Sequence, residues 1–243
     1  MVISEIKAFL KNNAPQWTKD QKSRMYRILN SDNPNFVGYG IKHSEIEKFA
    51  RKIHLQFDLS YDKASEIFKS LIQSDVHDEK MTALFLLNRF KKDFSTETVE
   101  MIKEVIPKFY DSWAITDTTM IRVLGPYLAK VGNEELAEKT IKDWSHSENL
   151  WIRRAALVIF LKIVMVKKEF NSDSIFKLVE QMHDDPEEYI HKGIGWLLKT
   201  CSNYKPEIIF NYLMKNKRNL SRIILRYASE KLSKDKRAEI LKK

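Results

Sequence analysis

The chain has 243 residues, 43% hydrophobic and 11% aromatic, which is enough apolar surface for a packed core and excludes a wholly disordered chain. Six glycines, six prolines and one cysteine argue against a turn-rich all-β fold and exclude an internal disulfide framework. The net charge of +9 is concentrated in residues 201–243, which hold 12 Lys/Arg and 4 Asp/Glu. This excess is typical of a chain that binds nucleic acid or an acidic membrane surface, and also of a solvated tail that aids solubility.

Apolar residues recur at helical spacing from the first segment onward, and no segment alternates like a strand. Residues 2–12 predict an amphipathic helix rather than a signal peptide, because charges interrupt their apolar positions. No window approaches the roughly 18 uninterrupted apolar residues of a membrane span. The predicted helices cover residues 2–12, 18–30, 44–56, 61–73, 78–92, 97–109, 115–131, 134–144, 149–167, 172–182, 187–203, 205–215, 219–232 and 235–242.

Helix caps and a repeat add detail to this pattern. Ser44, followed by Glu47 three residues later, predicts a capping box for the helix over 44–56. The helices pair, and residues 150–161 align on residues 188–199 without a gap. A degenerate period of roughly 35–45 residues, built from two helices, predicts a HEAT/armadillo-like all-α solenoid with a concave basic groove. We expect one domain over 1–243, with an irregular helical cap over 1–60 and helix-pair repeats over 61–243.

The first turns of the second helices of these pairs should meet in the predicted groove. They carry aromatic residues, cations and one acid, and cations follow phosphates while aromatic rings stack on nucleotides. The residues concerned are Trp113, Asp117, Trp151, Arg153, Arg154, Tyr189, His191, Lys192, Trp196, Arg222 and Arg226.

Each of these residues also has a structural interpretation. Judged singly, Trp113 and Trp196 are typical of core residues. Asp117, expected in the first turn of its helix, could serve the helix macrodipole alone. One of the adjacent Arg153 and Arg154 could pair with a nearby glutamate.

Other sites have little support in the sequence. Phosphate-binding, dinucleotide-binding and nucleophile-elbow motifs are absent. The six histidines are scattered, and Cys201 lies in an apolar segment where an inert core thiol is expected. We therefore expect no metal and no cofactor.

Four stretches, taken in chain order, resemble segments of the AlkD-like family of DNA alkylation-repair glycosylases, which are built from HEAT-like repeats. The resemblance spans nearly the whole chain and includes a tryptophan-x-x-x-aspartate pattern and a tryptophan-x-x-arginine-alanine-alanine helix. The stretches are NFVGYGIKHSEIEKFARKI at 35–53, SWAITD at 112–117, LWIRRAAL at 150–157 and GIGWLLK at 193–199.

The resemblance implies roles for four positions. Asp117 matches the catalytic aspartate, Trp113 and Trp196 match two tryptophans around the modified nucleotide, and Arg154 matches an arginine that holds the DNA backbone. Many relatives have an acid where this chain has Ala114, which affects support for the main aspartate. The predicted groove adds further DNA-binding candidates, namely Tyr189, Lys192, Arg222 and Arg226.

The implied function is a monofunctional glycosylase that excises N3- or N7-alkylated purines from duplex DNA, the first step of base excision repair. A cationic base leaves without a general acid, so the carboxylate would stabilise the oxocarbenium-like sugar, and no lysine Schiff base is required. We expect a monomer that binds no membrane and acts in the cytoplasm, or in the nucleus of a eukaryote. The alternatives are a non-catalytic DNA-structure-binding member of the same family and a HEAT-type scaffold for protein interactions.

Overall fold

Helices form the regular secondary structure of the protein, whose computed structural model describes residues 1–242. Within that range there is no strand, and β pairing is limited to an isolated parallel bridge between Val37 and Val76. The prediction of an all-α fold is therefore confirmed for the described residues. The predicted domain also included Lys243, which lies outside them.

The chain forms two compact units, Met1–Val123 and a second unit that begins at Leu124. The expectation of a single domain with a cap over 1–60 stays a prediction. The helices of the first unit are α1 (Val2–Asn12), α2 (Lys19–Leu29), α3 (His43–Gln56), α4 (Tyr61–Leu71), α5 (His77–Leu87), α6 (Thr96–Phe109) and α7 (Trp113–Thr118). A 3₁₀ turn over Asn88–Phe90 follows α5, and a π-helical segment over Thr119–Leu124 follows α7.

The first unit is organised around α5. All of its residues are buried, and it packs against α1, α3, α4 and α7. Its second half, Met81–Leu87, is apolar except for Thr82, whose hydroxyl donates to the carbonyl of Asp78. A helix that is apolar all round belongs in a core, because no face of it gains from water. Its polar first turn is therefore the unusual part.

The second unit stacks helices in sequence. Its helices are α8 (Gly125–Leu128), α9 (Glu134–Ser145), α10 (Leu150–Lys167), α11 (Ser172–Met182), α12 (Glu188–Ser202), α13 (Pro206–Asn216), α14 (Arg222–Ala228) and α15 (Lys234–Leu241), with a 3₁₀ turn over Ser229–Lys231. The helix α10 packs against α9 and α12, and α12 packs against α13 and α14. Successive starts of α5, α7, α10, α12 and α14 lie 34 to 38 residues apart, close to the predicted period.

Two glycines of α12 allow its neighbours to approach closely. A Cβ added at Gly195 would lie 2.4 Å from the Cβ of Tyr227 on α14. A Cβ added at Gly193 would lie 3.0 Å from a methyl group of Leu157 on α10. Because the two glycines are two positions apart on a helix, they face different neighbours.

Two sequence expectations about helix ends are wrong. The helix predicted over 115–131 starts at Trp113 and is interrupted by the π-helical segment before Pro126. Proline has no N–H for an i→i−4 bond, and its ring clashes with the carbonyl of that residue, here Arg122. Ser44 does not cap α3, which begins at His43 without a side-chain cap, since Glu47 binds Arg122 at 2.6 Å instead.

Candidate functional site

The candidate acid and the first tryptophan lie one turn apart on α7. Trp113 is the first residue of this helix and Asp117 the fifth, so both lie on the same face. Trp113 is half-buried and Asp117 retains 8% of its exposed surface. The expected place of Asp117 in a first turn is wrong, and the macrodipole interpretation weakens with it because that effect falls off within the first turn.

Trp113 is not enclosed in the core. Its indole N–H donates to the carbonyl of Ile28, in the last turn of α2, at 3.0 Å. This bond fixes the orientation of the ring and leaves its exposed part facing outward from the first unit. The core interpretation of Trp113 is therefore not supported by its burial.

The threonines beside Asp117 stabilise the local backbone. Thr116 donates to the carbonyl of Ser112 at 3.2 Å, and Thr119 donates to the carbonyl of Ile115 at 2.8 Å. The hydroxyls of Thr119 and Tyr110 lie 2.8 Å apart, and burial raises the pKa of Tyr110. These bonds hold α7 and the start of the π-helical segment, a geometry that is frequent at functional sites.

A buried ion pair that sequence reasoning missed lies directly before α7. The ammonium of Lys80 lies 2.7 Å from the carboxylate of Asp111, and it also donates to the carbonyl of Phe109 at 2.6 Å. The amide of Asp32 donates to the carbonyl of Asp111 at 3.0 Å. No local signal in the sequence connects Lys80 with Asp111, because they are 31 positions apart.

Asp78, an acidic residue of α5, holds the loop before α3. The carboxylate of Asp78 accepts hydrogen bonds from the amides of Tyr39 at 2.7 Å and Ile41 at 2.9 Å. Burial raises the pKa of Asp78, against the lowering effect of these amides. Between them Gly40 has φ +78°, and an added Cβ would lie 2.5 Å from the ring of Trp17. The aromatic-and-glycine turn noted in the sequence is thus a packed structural loop.

The helix α2, whose last turn accepts the hydrogen bond of Trp113, carries exposed cations. None of its residues is buried, so the helix contributes little to the core of the first unit. Its sequence, KDQKSRMYRIL, holds one acid among several bases. The exposed bases are Lys19, Lys22, Arg24 and Arg27. They lie before the helix-pair repeat that predicts the other site residues, so the repeat gives no signal for them.

In the second unit, the adjacent arginines of α10 have different partners. Arg153 binds the carboxylate of Asp185 through two nitrogens, at 2.6 and 3.2 Å, so the ion pair forms with an aspartate and not with the expected glutamate. Arg154 is 5% exposed and donates to the carbonyl of Tyr189 at 2.5 Å. Gly193 lies beside it, and a Cβ added there would lie 3.6 Å from its guanidinium, an ordinary contact, so Arg154 does not require a glycine at this position.

Tyr189, at the start of α12, is the centre of an aromatic and cationic cluster. Its ring lies 5.3 Å from that of Trp151 and 5.9 Å from the guanidinium carbon of Arg154. The ammonium of Lys192 lies 5.3 Å from the same ring and pairs with Glu188. Of the residues predicted for the groove, the structure thus brings Trp151, Arg154, Tyr189 and Lys192 together.

The remaining predicted residues lie on the surface of the second unit. Trp196, two turns into α12, is half-buried, so its burial does not indicate a core residue. Arg222 and Arg226 are exposed and lie one turn apart on α14. Arg222 donates to the carbonyl of Leu241 at 2.7 Å and so caps α15, whereas the guanidinium of Arg226 makes no hydrogen bond to residues 1–242.

Residues 1–242 offer no candidate site for metal or thiol chemistry. No group of three or more His, Cys, Asp or Glu residues within 1–242 could hold a metal ion. Burial raises the pKa of Cys201 to about 12, which keeps its thiol protonated and unreactive. None of the helices described is long and apolar enough to cross a membrane.

Comparisons with known proteins agree on one family. The sequence model of a family described as DNA alkylation repair enzyme matches residues 6–232. A structure described as a predicted DNA alkylation repair enzyme from Enterococcus faecalis has a TM-score of 0.75 and 24% identity, covering 90% of this chain and 98% of its own. The structure of AlkD2 from Streptococcus mutans has a TM-score of 0.58 and 20% identity, covering 88% and 98%. The comparison with curated proteins gives no match.

Proposed function

The chain belongs to the DNA alkylation repair enzyme family, and from this membership we propose that it is a DNA glycosylase for N3- and N7-alkylated purines. The observation that carries the proposal is the pair of Trp113 and Asp117 on one face of α7. A carboxylate with a small exposed fraction lies one turn from a half-exposed indole, outside the first turn where the macrodipole alone would explain an acid.

The chemistry suits a single carboxylate. A purine alkylated at N3 or N7 carries a positive charge, and its departure as a neutral base needs no proton from the protein. Positive charge develops on the sugar as the glycosidic bond breaks. The carboxylate of Asp117 stabilises this oxocarbenium-like sugar and orients or deprotonates the attacking water. A fixed group of opposite charge, held where charge develops, commonly lowers the activation free energy by ~3–4 kcal/mol.

The aromatic residues recognise the charge of the substrate. The exposed part of the Trp113 indole attracts the cationic base, at roughly 0.5–2 kcal/mol by cation–π interaction. Trp196, half-buried on α12 of the second unit, stays a predicted DNA-binding residue. No lysine nucleophile takes part, so the enzyme is monofunctional and leaves the strand intact. Recognition of the charged base without a deep pocket admits bulky adducts.

Cations on both units bind the DNA backbone. In the second unit, Arg154 and Lys192 surround Tyr189, and Arg222 and Arg226 are exposed on α14. In the first unit, exposed bases lie along α2, the helix whose last turn binds Trp113. Phosphates are the natural partners of such cations. The proposed partner is therefore duplex DNA. The proposal also includes that the chain binds it as a monomer, in the cytoplasm or in the nucleus of a eukaryote.

The decisive experiment measures base release from duplexes containing N7-methylguanine or N3-methyladenine by the native chain and by Asp117→Asn. This substitution keeps the size of the side chain and removes its charge. We expect release by the native chain, a loss of about 10²–10³-fold in the variant, and equal DNA binding by both. Equal release would exclude Asp117 from the mechanism. No release by either would favour the non-catalytic DNA-structure-binding protein.

A further inference from the structure

The ion pair between Lys80 and Asp111 is among the most deeply buried charges of the first unit. The two side chains are 3% and 8% exposed, and their charged atoms lie 2.7 Å apart. The second oxygen of Asp111, Oδ1, accepts no hydrogen bond from the described residues. A buried pair of this kind is costly to desolvate, so stability alone is a weak reason for it.

The pair lies at the short link between α6 and α7. Phe109 is the last residue of α6, and Trp113 is the first residue of α7. From α5, the ammonium of Lys80 binds the carbonyl of Phe109 at 2.6 Å and the side chain of Asp111 at 2.7 Å. One ammonium group therefore holds the last carbonyl of one helix and a side chain two positions before the next helix.

Two further bonds connect this link to the end of α2. The carbonyl of Asp111 accepts from the amide of Asp32 at 3.0 Å, and the indole of Trp113 donates to the carbonyl of Ile28 at 3.0 Å. Contacts from two places thus hold the start of α7. One set comes from the buried helix α5, and the other comes from the end of α2 and the residues that follow it. Asp117 follows one turn later on α7.

We propose that Lys80 and Asp111 are a positioning pair, which sets the direction of α7 and thereby places Trp113 and Asp117 for base excision. This inference rests on the proposed function. Neither residue touches the substrate, and both act through α7. Catalytic groups must be held to within about 0.5 Å by packing and by supporting hydrogen bonds, and the bonds of Lys80 to Phe109 and Asp111 are of the second kind.

The test compares the single variants Lys80→Met and Asp111→Leu with the double variant that carries both. Either single change leaves an unpaired polar group at a buried site, so a loss of stability is expected from each. The double variant replaces the pair by apolar groups of similar size, so most of the stability should return. Thermal unfolding, DNA affinity and the single-turnover rate of base release with saturating protein are measured for all of them.

The matched control is Glu79→Gln. Glu79 is in the same turn of α5 and is equally buried, but its partner at 3.3 Å is Lys7 on α1. This variant should lose stability without losing rate. A positioning role predicts that the double variant regains its melting temperature and binds DNA as the native chain does, yet releases base roughly 10- to 100-fold more slowly. A rate that recovers with stability would overturn the proposal.

A second readout is independent of activity. Hydrogen exchange of the Trp113 indole N–H, followed by NMR, should be faster in the double variant because its acceptor at Ile28 is no longer held in register. If the native chain releases no base, the proposed function fails, and this exchange still decides the positioning role: equal exchange overturns it. Should the double variant not fold, Asp111→Asn is judged by the same rate and exchange measurements.

Discussion

At the scale of single residues, the position of Asp117 is the most informative observation. An acid in the first turn of a helix needs no functional explanation, and the sequence alone allowed that interpretation. The structure starts α7 at Trp113, so Asp117 is its fifth residue and lies beyond the first turn. The neighbouring Thr116 and Thr119 are occupied with backbone carbonyls. These hydroxyls therefore stabilise the helix, and the acid remains the candidate for chemistry.

The hydrogen bond of Trp113 gives a prediction at the same scale. Trp113→Phe keeps an aromatic ring but removes the N–H that binds the carbonyl of Ile28. A net hydrogen bond contributes about 0.5–1.5 kcal/mol, so we expect a lower melting temperature and base release slowed several-fold. Thermal unfolding and single-turnover assays measure the two effects. An unchanged melting temperature would show that the bond does not hold α2 to α7.

His77 predicts how stability depends on pH. Burial, together with the neighbouring His43 and Lys80, lowers the pKa of His77 to about 3 from its ordinary value of 6.5. Between pH 3 and pH 6.5, His77 is therefore protonated in the unfolded chain but neutral in the folded chain. The contribution of His77 is complete above pH 6.5 and is lost as the pH falls towards 3.

The measurement is the free energy of unfolding across this range for the native chain and for His77→Gln. Glutamine does not titrate, so the variant should be less stable at pH 7 but should lose less on acidification. Its slope against pH should be shallower by up to about 1.4 kcal/mol per unit. Parallel curves for the two proteins would show that His77 is accessible to protons in the fold.

At the scale of helices, packing in the second unit depends on the two glycines of α12. Gly195 faces Tyr227 on α14, and Gly193 faces Leu157 on α10. The contact at Gly195 involves a Cβ atom next to the backbone, whereas the contact at Gly193 involves the end of a flexible side chain. The same Gly→Ala change is therefore expected to have different effects at positions two residues apart.

We predict that Gly195→Ala destabilises the protein by ~1–3 kcal/mol, because overpacking outweighs the gain of about 1 kcal/mol in helix propensity. Gly193→Ala is the matched control and should be close to neutral, since Leu157 can rotate away. Chemical denaturation of the two variants measures the difference. Equal stabilities would mean that α12 and α14 separate at little cost.

The π-helical segment is the other feature at this scale. It occupies Thr119–Leu124, directly after α7 and before the Gly125–Pro126 pair. Proline removes an α-helical hydrogen bond, and the wider π turn accommodates the interruption without ending the helical path. The sequence suggested a continuous helix over 115–131 because its apolar periodicity continues through the interruption.

At the scale of the whole molecule, charge is distributed over both units. Bases of α2 belong to the first unit, and Arg222 and Arg226 belong to the second. The sequence placed nearly all of the excess charge at the C-terminal end, because Asp and Glu balance the bases elsewhere. Basic residues that can meet DNA are distinguished from structural ones by their exposure. Lys80 is buried with its partner, whereas the bases of α2 are exposed.

The salt dependence of DNA binding tests this charge distribution. Each phosphate contact releases counterions, so affinity for duplex DNA should fall steeply with salt. Replacing Arg222 and Arg226 by Ala should reduce the slope of log K against log [salt] by ~2, with little change in base preference. Fluorescence anisotropy at several salt concentrations measures it. Binding without salt dependence would favour the protein-interaction scaffold.

The sequence by itself determined which segments are helical, the spacing of the repeat and the Trp113–Asp117 pattern, because a periodicity of 3.6 residues is a local property of the chain. The family followed from the same local motifs and is confirmed. Other features depended on contacts between distant segments. The pairing of Lys80 with Asp111, the occupation of Arg153 by Asp185 and the cluster around Tyr189 arise only when helices pack. Tertiary structure decided them because a buried charge takes its partner from whichever segment packs beside it, and no local pattern records that neighbour.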